Sequence, residues 1–179
     1  MGRQAFLAVL VLGLGTLALS FTRFPESCPL TIGQVERIDV PQLSPARITV
    51  NGRTYEAGGD ALLDYMPRFG SEPIFRLGPP SHPLNVMLSV SAAKRTHVDT
   101  TAFTCVRVTH GSETWSRRPQ NYDVQSPQWD GPGPSWRMAA ALGGPEWPAG
   151  DMIRIEASLV VEGHQFLLVF PPFALMKGG

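Results

Sequence analysis

The sequence predicts an all-β fold, an antiparallel two-sheet sandwich of immunoglobulin-like or fibronectin-like type, and three observations support this prediction. Apolar and polar residues alternate with a period of two in many short runs from Val35 onward, which is the pattern of half-buried strands. Helical periodicity is nearly absent from the same stretch. The 18 glycines and 17 prolines interrupt the runs often, so the connections are short. Strands at this spacing are typical of a sandwich, with a barrel as the second choice.

The composition excludes some classes of function. The chain of 179 residues has 15 basic and 15 acidic side chains and a formal net charge of zero. Nucleic acid and anionic membrane surfaces attract proteins through an excess of positive charge, so neither is an expected partner. Hydrophobic residues make up 43% of the chain and charged residues 17%, a balance typical of a globular domain that buries a core.

The N-terminus has the pattern of an export signal. Arg3 supplies a positive charge, and residues 5–21 follow without any charge and are mostly leucine, valine, alanine and glycine. These are the n-region and h-region of a secretory signal. The small side chains of Ala18 and Ser20 predict cleavage after Ser20, so that the mature chain begins at Phe21. The alternative is an uncleaved anchor helix, because residues 5–21 reach the short limit of a membrane-spanning segment.

The rest of the chain has neither an internal repeat nor an interdomain linker. We therefore expect a signal peptide or anchor, an N-terminal segment and a single sandwich domain, at residues 1–20, 21–34 and 35–179. Such a protein is exported to the periplasm or the cell exterior. It touches a membrane only if residues 5–21 stay uncleaved and hold it at the inner membrane.

The two cysteines, Cys28 and Cys105, both follow the predicted signal. Two thiols in an oxidising compartment favour one disulfide. Because Cys28 precedes the first predicted strand and Cys105 lies within a later one, the bond would attach the N-terminal segment to a sheet. The alternative is a pair of separate buried thiols, since free cysteine is also a small core residue.

The first predicted element is a hairpin. Asn51 and Gly52 tolerate the positive φ values that a tight two-residue turn requires. This turn places Ile48 opposite Tyr55, which is a favourable cross-strand pair.

A short helix is expected next, near residues 60–66. Asp60 is a good N-cap, and Pro67 ends the segment. Leu62, Tyr65 and Met66 would then share one face of the helix.

Further strands follow, and alternation or turn signals predict them over residues 84–91, 102–109, 113–117 and 136–142. A turn at His110 and Gly111 sets Val106 beside Trp115. In the last of these runs Trp136 alternates with Met138, Ala140 and Leu142, so this set is expected to face the core.

The strongest strands come last and form a hairpin. Alternate residues from Ile153 to Val161 are apolar, and Phe166, Leu168 and Phe170 continue that face. Three more apolar side chains lie on the opposite face: Val160, Leu167 and Val169. Either a neighbouring segment covers this second face, or it forms a patch for a protein partner.

The main hypothesis about a ligand concerns the aromatic residues. All four tryptophans lie between Trp115 and Trp147, together with Tyr122. Trp129, in a proline- and glycine-rich loop, is expected to be exposed, so Tyr122 and Trp129 are the candidate residues for stacking on a sugar ring. The alternative for the cluster is packing in the core and at a corner of the sandwich.

No catalytic, cofactor-binding or metal-binding residue is predicted. The chain has no nucleophile-elbow motif and no phosphate-cradling glycine loop. His97 and Asp99 form a His-x-Asp triplet, which is common by chance. We therefore expect no cofactor and no enzymatic activity.

The function expected from these observations is that of an exported, non-catalytic β-sandwich domain, a binding or structural module of the bacterial cell envelope. Its partner would be another envelope protein or a glycan. The alternatives are a carbohydrate-binding module that uses loop aromatics and, less favoured, a hydrolase. No motif in the chain identifies a family.

Overall fold

The protein is described by a computed structural model over residues 28–30, 35–42, 44–64, 83–123 and 135–178. The predicted signal or anchor helix lies outside these ranges, as do Trp129 and the start of the N-terminal segment. Within the ranges, no helix reaches the length and apolar character needed to cross a bilayer.

Strands dominate the described residues, and their order along the chain is as follows. They are β1 (Glu36–Asp39), β2 (Ala46–Val50), β3 (Arg53–Asp64), β4 (Leu84–Ala92), β5 (Thr101–His110), β6 (Glu113–Arg117), β7 (Gln120–Asp123), β8 (Ser135–Ala141), β9 (Met152–Val161), β10 (His164–Val169), β11 (Phe173–Ala174) and β12 (Met176–Gly178). A short helix, α1 (Arg95–Val98), connects β4 to β5. This helix was not predicted.

The strands form two mostly antiparallel sheets, as in a sandwich. The first sheet has the order β1-β10-β9-β5-β6, and β11 pairs with the start of β9. The second has the order β12-β3-β4-β8-β7, and β2 pairs with the first half of β3. Two edge pairings are parallel, β1 with β10 and β12 with β3. The chain thus crosses repeatedly between the layers.

The predicted tight turn of the first hairpin is confirmed. Asn51 and Gly52 have φ values of 49° and 73°, and Ile48 pairs with Tyr55. The last hairpin also follows its pattern, because the alternating set from Ile153 to Val161 is fully buried between the sheets. Period-two alternation therefore predicted these strands and their inner faces.

The predicted helix near residues 60–66 is wrong over residues 60–64, which belong to β3. Ala57, Ala61 and Leu63 are buried at a spacing of two, and β3 is paired with β4 on one side and with β2 and β12 on the other. A single helical turn is costly to nucleate, whereas residues 60–63 are paired with β4 and residues 62–64 with β12. Tyr65 and Met66 lie outside the described residues.

Gly59 explains part of this preference for a strand. A Cβ atom at Gly59 would lie 2.5 Å from Leu88 Cδ2 and 3.3 Å from Phe170 Cζ. Two core side chains thus approach the backbone at Gly59 too closely for a larger residue to fit without a shift.

The expected orientation of β8 is also wrong. Ala139 and Ala141 face the core and are buried, whereas Trp136 is 44% exposed. Both alternate sets of this strand contain apolar residues, so alternation alone does not determine which set is inward. The two alanines face the core and the larger Trp136 and Met138 point away from it.

The register between β5 and β6 differs from the prediction by two residues. Gly111 and Ser112 form the turn, so Val108 rather than Val106 lies opposite Trp115. The difference arises because His110 belongs to β5, where it pairs with Glu113.

Candidate functional site

The outer surface of the second sheet carries most of the exposed large apolar side chains of the described residues. We call this surface the aromatic face and define it by Tyr122, Trp136, Met138, Met87, Leu62 and Met176. The pairings of β7, β8, β4, β3 and β12 place all six on one side of the sheet. Neighbouring strands are about 4.8 Å apart, so the face extends across the whole sheet.

Tyr122 and Trp136 form the aromatic pair of this face. Tyr122 lies opposite Met138 on β8, and Trp136 is two residues further along the same strand. Diagonal neighbours of this kind are about 7–8 Å apart and are within reach of each other's rings. Tyr122 is 39% exposed and Trp136 44%. More than half of the surface of each residue is thus covered, and the remainder is open to solvent.

The strands beside the aromatic pair present small or polar side chains. Ser89 lies opposite Met138, and Gly58 lies opposite Ser89. Ser91 lies opposite Trp136, with Glu56 on its other side. Ser91 is buried and Ser89 is half-buried, so Ser89 supplies the partly accessible hydroxyl group of this pair.

Several polar residues near the pair are engaged in contacts within the chain. The Asn121 amide makes two hydrogen bonds of 2.8 Å with the backbone of Phe103 in the opposite sheet. Arg137 donates to Asp123 Oδ1 at 2.8 Å and to the Thr101 carbonyl oxygen. These contacts tie the two sheets together at the end of the sandwich, so they position the aromatic pair rather than bind a ligand.

The other tryptophans occupy different places. Trp115 and Trp147 are buried, as the packing alternative expected for part of the cluster, whereas Trp129 lies outside the described residues. The exposed partner of Tyr122 is therefore Trp136. The sequence contained conflicting signals for β8, since Ala139 and Ala141 are small enough to fit between the sheets but Arg137, in the same alternate set, is charged.

The predicted partner patch is partly covered by the chain itself. Residues 28–30, here called the N-terminal strap, cross the outer surface of the first sheet. Leu167 packs against a small cluster formed by Cys28, Leu30 and Cys105. Val169 is buried, and Val160 is half-buried. For Leu167 the structure therefore shows the first alternative, because a neighbouring segment, the N-terminal strap, covers its side chain.

The cysteine pairing agrees with the prediction. The Sγ atoms of Cys28 and Cys105 lie at bonding distance, 2.03 Å. Two hydrogen bonds of the Gln165 amide, to the Leu30 carbonyl oxygen at 3.2 Å and to Ser158 Oγ at 2.8 Å, add to the attachment of the strap.

Glu162 forms a polar cluster that the sequence did not predict. Its carboxylate accepts hydrogen bonds from Asn51 Nδ2 at 2.8 Å, Arg53 Nη1 at 2.6 Å and the Tyr55 hydroxyl at 2.6 Å. Glu162 belongs to the turn of the β9–β10 hairpin and the other three to the β2–β3 hairpin. We call this set the Glu162 clasp. It joins the two sheets.

The backbone at Glu162 is unusual. Its φ is 47°, in the left-handed region, where residues other than glycine, asparagine and aspartate are uncommon. A glutamate at the first position of such a turn is the signal that sequence reasoning missed. The three hydrogen bonds to its carboxylate stabilise the residue in this conformation.

The clasp shifts the pKa values of its members. The hydrogen bond from Tyr55, with those from Asn51 and Arg53, lowers the pKa of Glu162 from 4.5 to about 2. Burial raises the pKa of Tyr55, and its hydrogen bond to Glu162 adds to this. The ionised carboxylate is therefore the form that the folded protein favours.

This clasp makes the stability of the fold sensitive to acid. A carboxylate with a lowered pKa stabilises the folded state above its unfolded pKa, and this contribution is lost as the pH falls through the folded pKa. For Glu162 the window runs from pH 4.5 to about 2. We expect Glu162→Gln to lower the melting temperature at neutral pH, and the difference from wild type to shrink as the pH falls through this window.

The measurement is thermal unfolding of both proteins across the pH range. Glu56→Gln is the matched control, because the Glu56 side chain is 45% exposed and faces Arg47 across 3.5 Å of surface. A difference between wild type and Glu162→Gln that stays constant from neutral pH to pH 2 would contradict the role of the ionised clasp.

His110 and Asp151 form a second polar pair. His110 Nε2 and Asp151 Oδ2 are 2.8 Å apart, and the imidazole lies 5.0 Å from the ring of Trp147. Trp147 in turn donates from Nε1 to Glu113 Oε2 at 2.6 Å. His110 Nδ1 is buried without a hydrogen-bond partner. The second ring nitrogen thus faces the protein interior rather than a site that a substrate can enter.

The His-x-Asp triplet does not form a pair in the structure. His97 lies in α1 with its ring 6.5 Å from that of Tyr55, and Asp99 Oδ1 lies 3.7 Å from Arg137. Across the described ranges, no group of three or more histidine, cysteine, aspartate or glutamate side chains is arranged to hold a metal ion.

Comparisons with known proteins identify no relative. The chain matches no protein-family model, no curated protein and no solved structure. The arguments for function therefore rest on the residues of this chain.

Proposed function

We propose that this protein is an exported, non-catalytic binding module of the cell envelope, and that the aromatic face is its binding surface. The observation that carries this proposal is the position of Tyr122 and Trp136, exposed side by side on a sheet rather than packed into the core. Tryptophan and tyrosine supply a disproportionate share of binding energy at recognition surfaces.

Export is supported by two features. The first is the charge and apolar pattern of residues 1–21, with cleavage proposed after Ser20. The second is the pair of cysteines at bonding distance, since disulfides persist in oxidising compartments. Both fit a periplasmic or extracellular protein.

We further propose that the sandwich is of the immunoglobulin type. The order β3-β4-β8-β7 in one sheet and β10-β9-β5-β6 in the other matches the arrangement of strands A, B, E and D facing strands G, F and C in immunoglobulin domains. The cysteine pair does not match that family's disulfide, because Cys28 precedes the first strand.

The arrangement of His110 and Asp151 supports the proposal that the protein is non-catalytic. A general base must present a free nitrogen to the substrate. In His110 one nitrogen faces Asp151 and the other is buried. This pair is suited to holding the β5–β6 end of the sandwich together.

The proposal is tested by sedimentation of the purified exported protein with envelope fragments. We expect the double variant Tyr122→Ser, Trp136→Ser to bind about tenfold more weakly than wild type, because it removes both aromatic rings. Met152→Ser is the matched control, since Met152 is 55% exposed but lies on the first sheet. Equal binding by all three proteins, or no binding by wild type, would refute the proposal.

A further inference from the structure

We propose that the ligand of the aromatic face is an uncharged polysaccharide chain that stacks on Tyr122 and Trp136. This inference rests on the proposed binding function and adds the chemical class of the ligand. Three features of the described residues support it: the geometry of the ring pair, the side chains beside it, and the charge of the face.

Tyr122 and Trp136 are exposed at positions from which one ligand can reach both of them. Sugar rings stack with their C–H groups against the open face of an aromatic ring. Tyr122 and Trp136 lie at diagonal positions of two paired strands, so their rings are attached to one rigid surface. A chain of linked sugars can contact both rings at once, which a single sugar cannot. Two contacts on one chain strengthen binding beyond either alone.

The residues in line with Met138 on the two neighbouring strands are small. Gly58 has no side chain and lies opposite Ser89. Ser89 is half-buried and lies between Gly58 and Met138. A hydroxyl at this point can exchange hydrogen bonds with sugar hydroxyls. The described surface is therefore low beside the aromatic pair.

The charge of the face selects among polymers. Glu56 and Asp60 are on the same side of the sheet as the rings, and the positive charge of Arg47 offsets that of Glu56. These three side chains together leave one negative charge, so they give a polyanion no net attraction. An acidic polysaccharide or a single-stranded nucleic acid, which also stacks on aromatic rings, is disfavoured. An uncharged glycan can stack on the rings and is not repelled by the carboxylates.

The test is titration of the exported protein with cellohexaose and with chitohexaose, observed through the indole N–H signals in ¹H–¹⁵N NMR spectra. We expect at least one of them to shift the Trp136 signal, and Trp136→Ser to weaken binding about tenfold, or about 1.4 kcal/mol. Trp136→Phe keeps a ring and is expected to bind more tightly than Trp136→Ser. Met152→Ser is expected to bind as wild type does.

Two outcomes would overturn the inference while leaving the binding function in place. One is the absence of any shift with either oligosaccharide while the ring variants still lose envelope binding. The other is loss of envelope binding after protease treatment of the fragments, with binding retained after digestion of their glycan, since this identifies a protein partner. If wild type binds neither oligosaccharides nor envelope fragments, the inference and the proposed function both fail.

Discussion

Replacement of both cysteines, Cys28→Ala with Cys105→Ala, is expected to lower the free energy of unfolding by about 4 kcal/mol. The two residues are separated by 77 positions, and closing a loop of this size restricts the unfolded chain strongly. In the folded variant the strap also loses its covalent attachment, and its remaining packing is limited because Cys28, Leu30 and Cys105 form a cluster separate from the main core. Denaturant unfolding of the oxidised protein and of the variant measures it.

Two controls separate the bond from the packing around it. Wild type unfolded in the presence of a dithiol reductant should approach the stability of the double variant. Leu30→Ala retains the bond and reports the packing of the strap alone. If the double variant unfolds at the same denaturant concentration as oxidised wild type, the bond does not constrain the unfolded chain as we expect.

Asn121→Ala is expected to lower the free energy of unfolding by about 2–4 kcal/mol, because it removes the partner of both backbone groups of the buried residue Phe103. The Asn121 amide accepts from Phe103 N and donates to the Phe103 carbonyl oxygen. Phe103 lies beyond the end of β6, whose pairing with β5 stops at Val106, and next to an irregularity in the β5–β9 pairing. The side-chain amide of Asn121 therefore replaces a missing neighbouring strand.

The Phe103 amide gives a local readout of this prediction. Its hydrogen exchange should become faster in Asn121→Ala while exchange in the β9–β10 hairpin changes only with global stability. Gln120→Ala is the matched control, since Gln120 is the neighbouring exposed residue of β7. Asn121→Asp keeps the acceptor but places a carboxylate oxygen against the Phe103 carbonyl, so it should not restore stability. An unfolding free energy within about 0.5 kcal/mol of wild type would show that water replaces the amide.

These two predictions concern different interactions that stabilise the two sheets. The disulfide and the strap act on the outer surface of the first sheet. Asn121, Arg137 and the Glu162 clasp connect the two sheets at their ends, each through a polar side chain that reaches across to the other layer. Because the aromatic pair lies on β7 and β8, loss of the Asn121 contact is also expected to disturb the binding surface.

The turn between β2 and β3 and the β9–β10 hairpin were predictable from sequence, because in each case the local residues alone determine the structure. Asn51 and Gly52 determine a turn through their backbone preferences alone, and the β9–β10 hairpin alternates strictly between apolar and polar residues. In each case a local rule and the final environment agree. The cysteine pairing was equally direct, since two cysteines allow one bond.

Residues 60–64 and β8 show where local rules were insufficient. Asp60 and the leucines after it satisfy the pattern of a short helix, and only pairing with strands distant in sequence makes the segment extended. In β8 both alternate sets contain apolar residues, so the choice depends on the space that the opposite layer leaves. Trp136 was assigned to the core for this reason, and the exposed ring pair was missed.

The sequence by itself determined the fold class, the position of most strands, the turn at Asn51 and the partner of Cys28, because backbone preferences and period-two alternation are local properties. Only the tertiary structure decided that Trp136 points outward, that Asn121 completes the backbone pairing of Phe103, and that Glu162 is held by three donors from another hairpin. Each of these depends on which segments meet across the two layers, and the space and hydrogen-bonding partners found there exist only after the chain has folded.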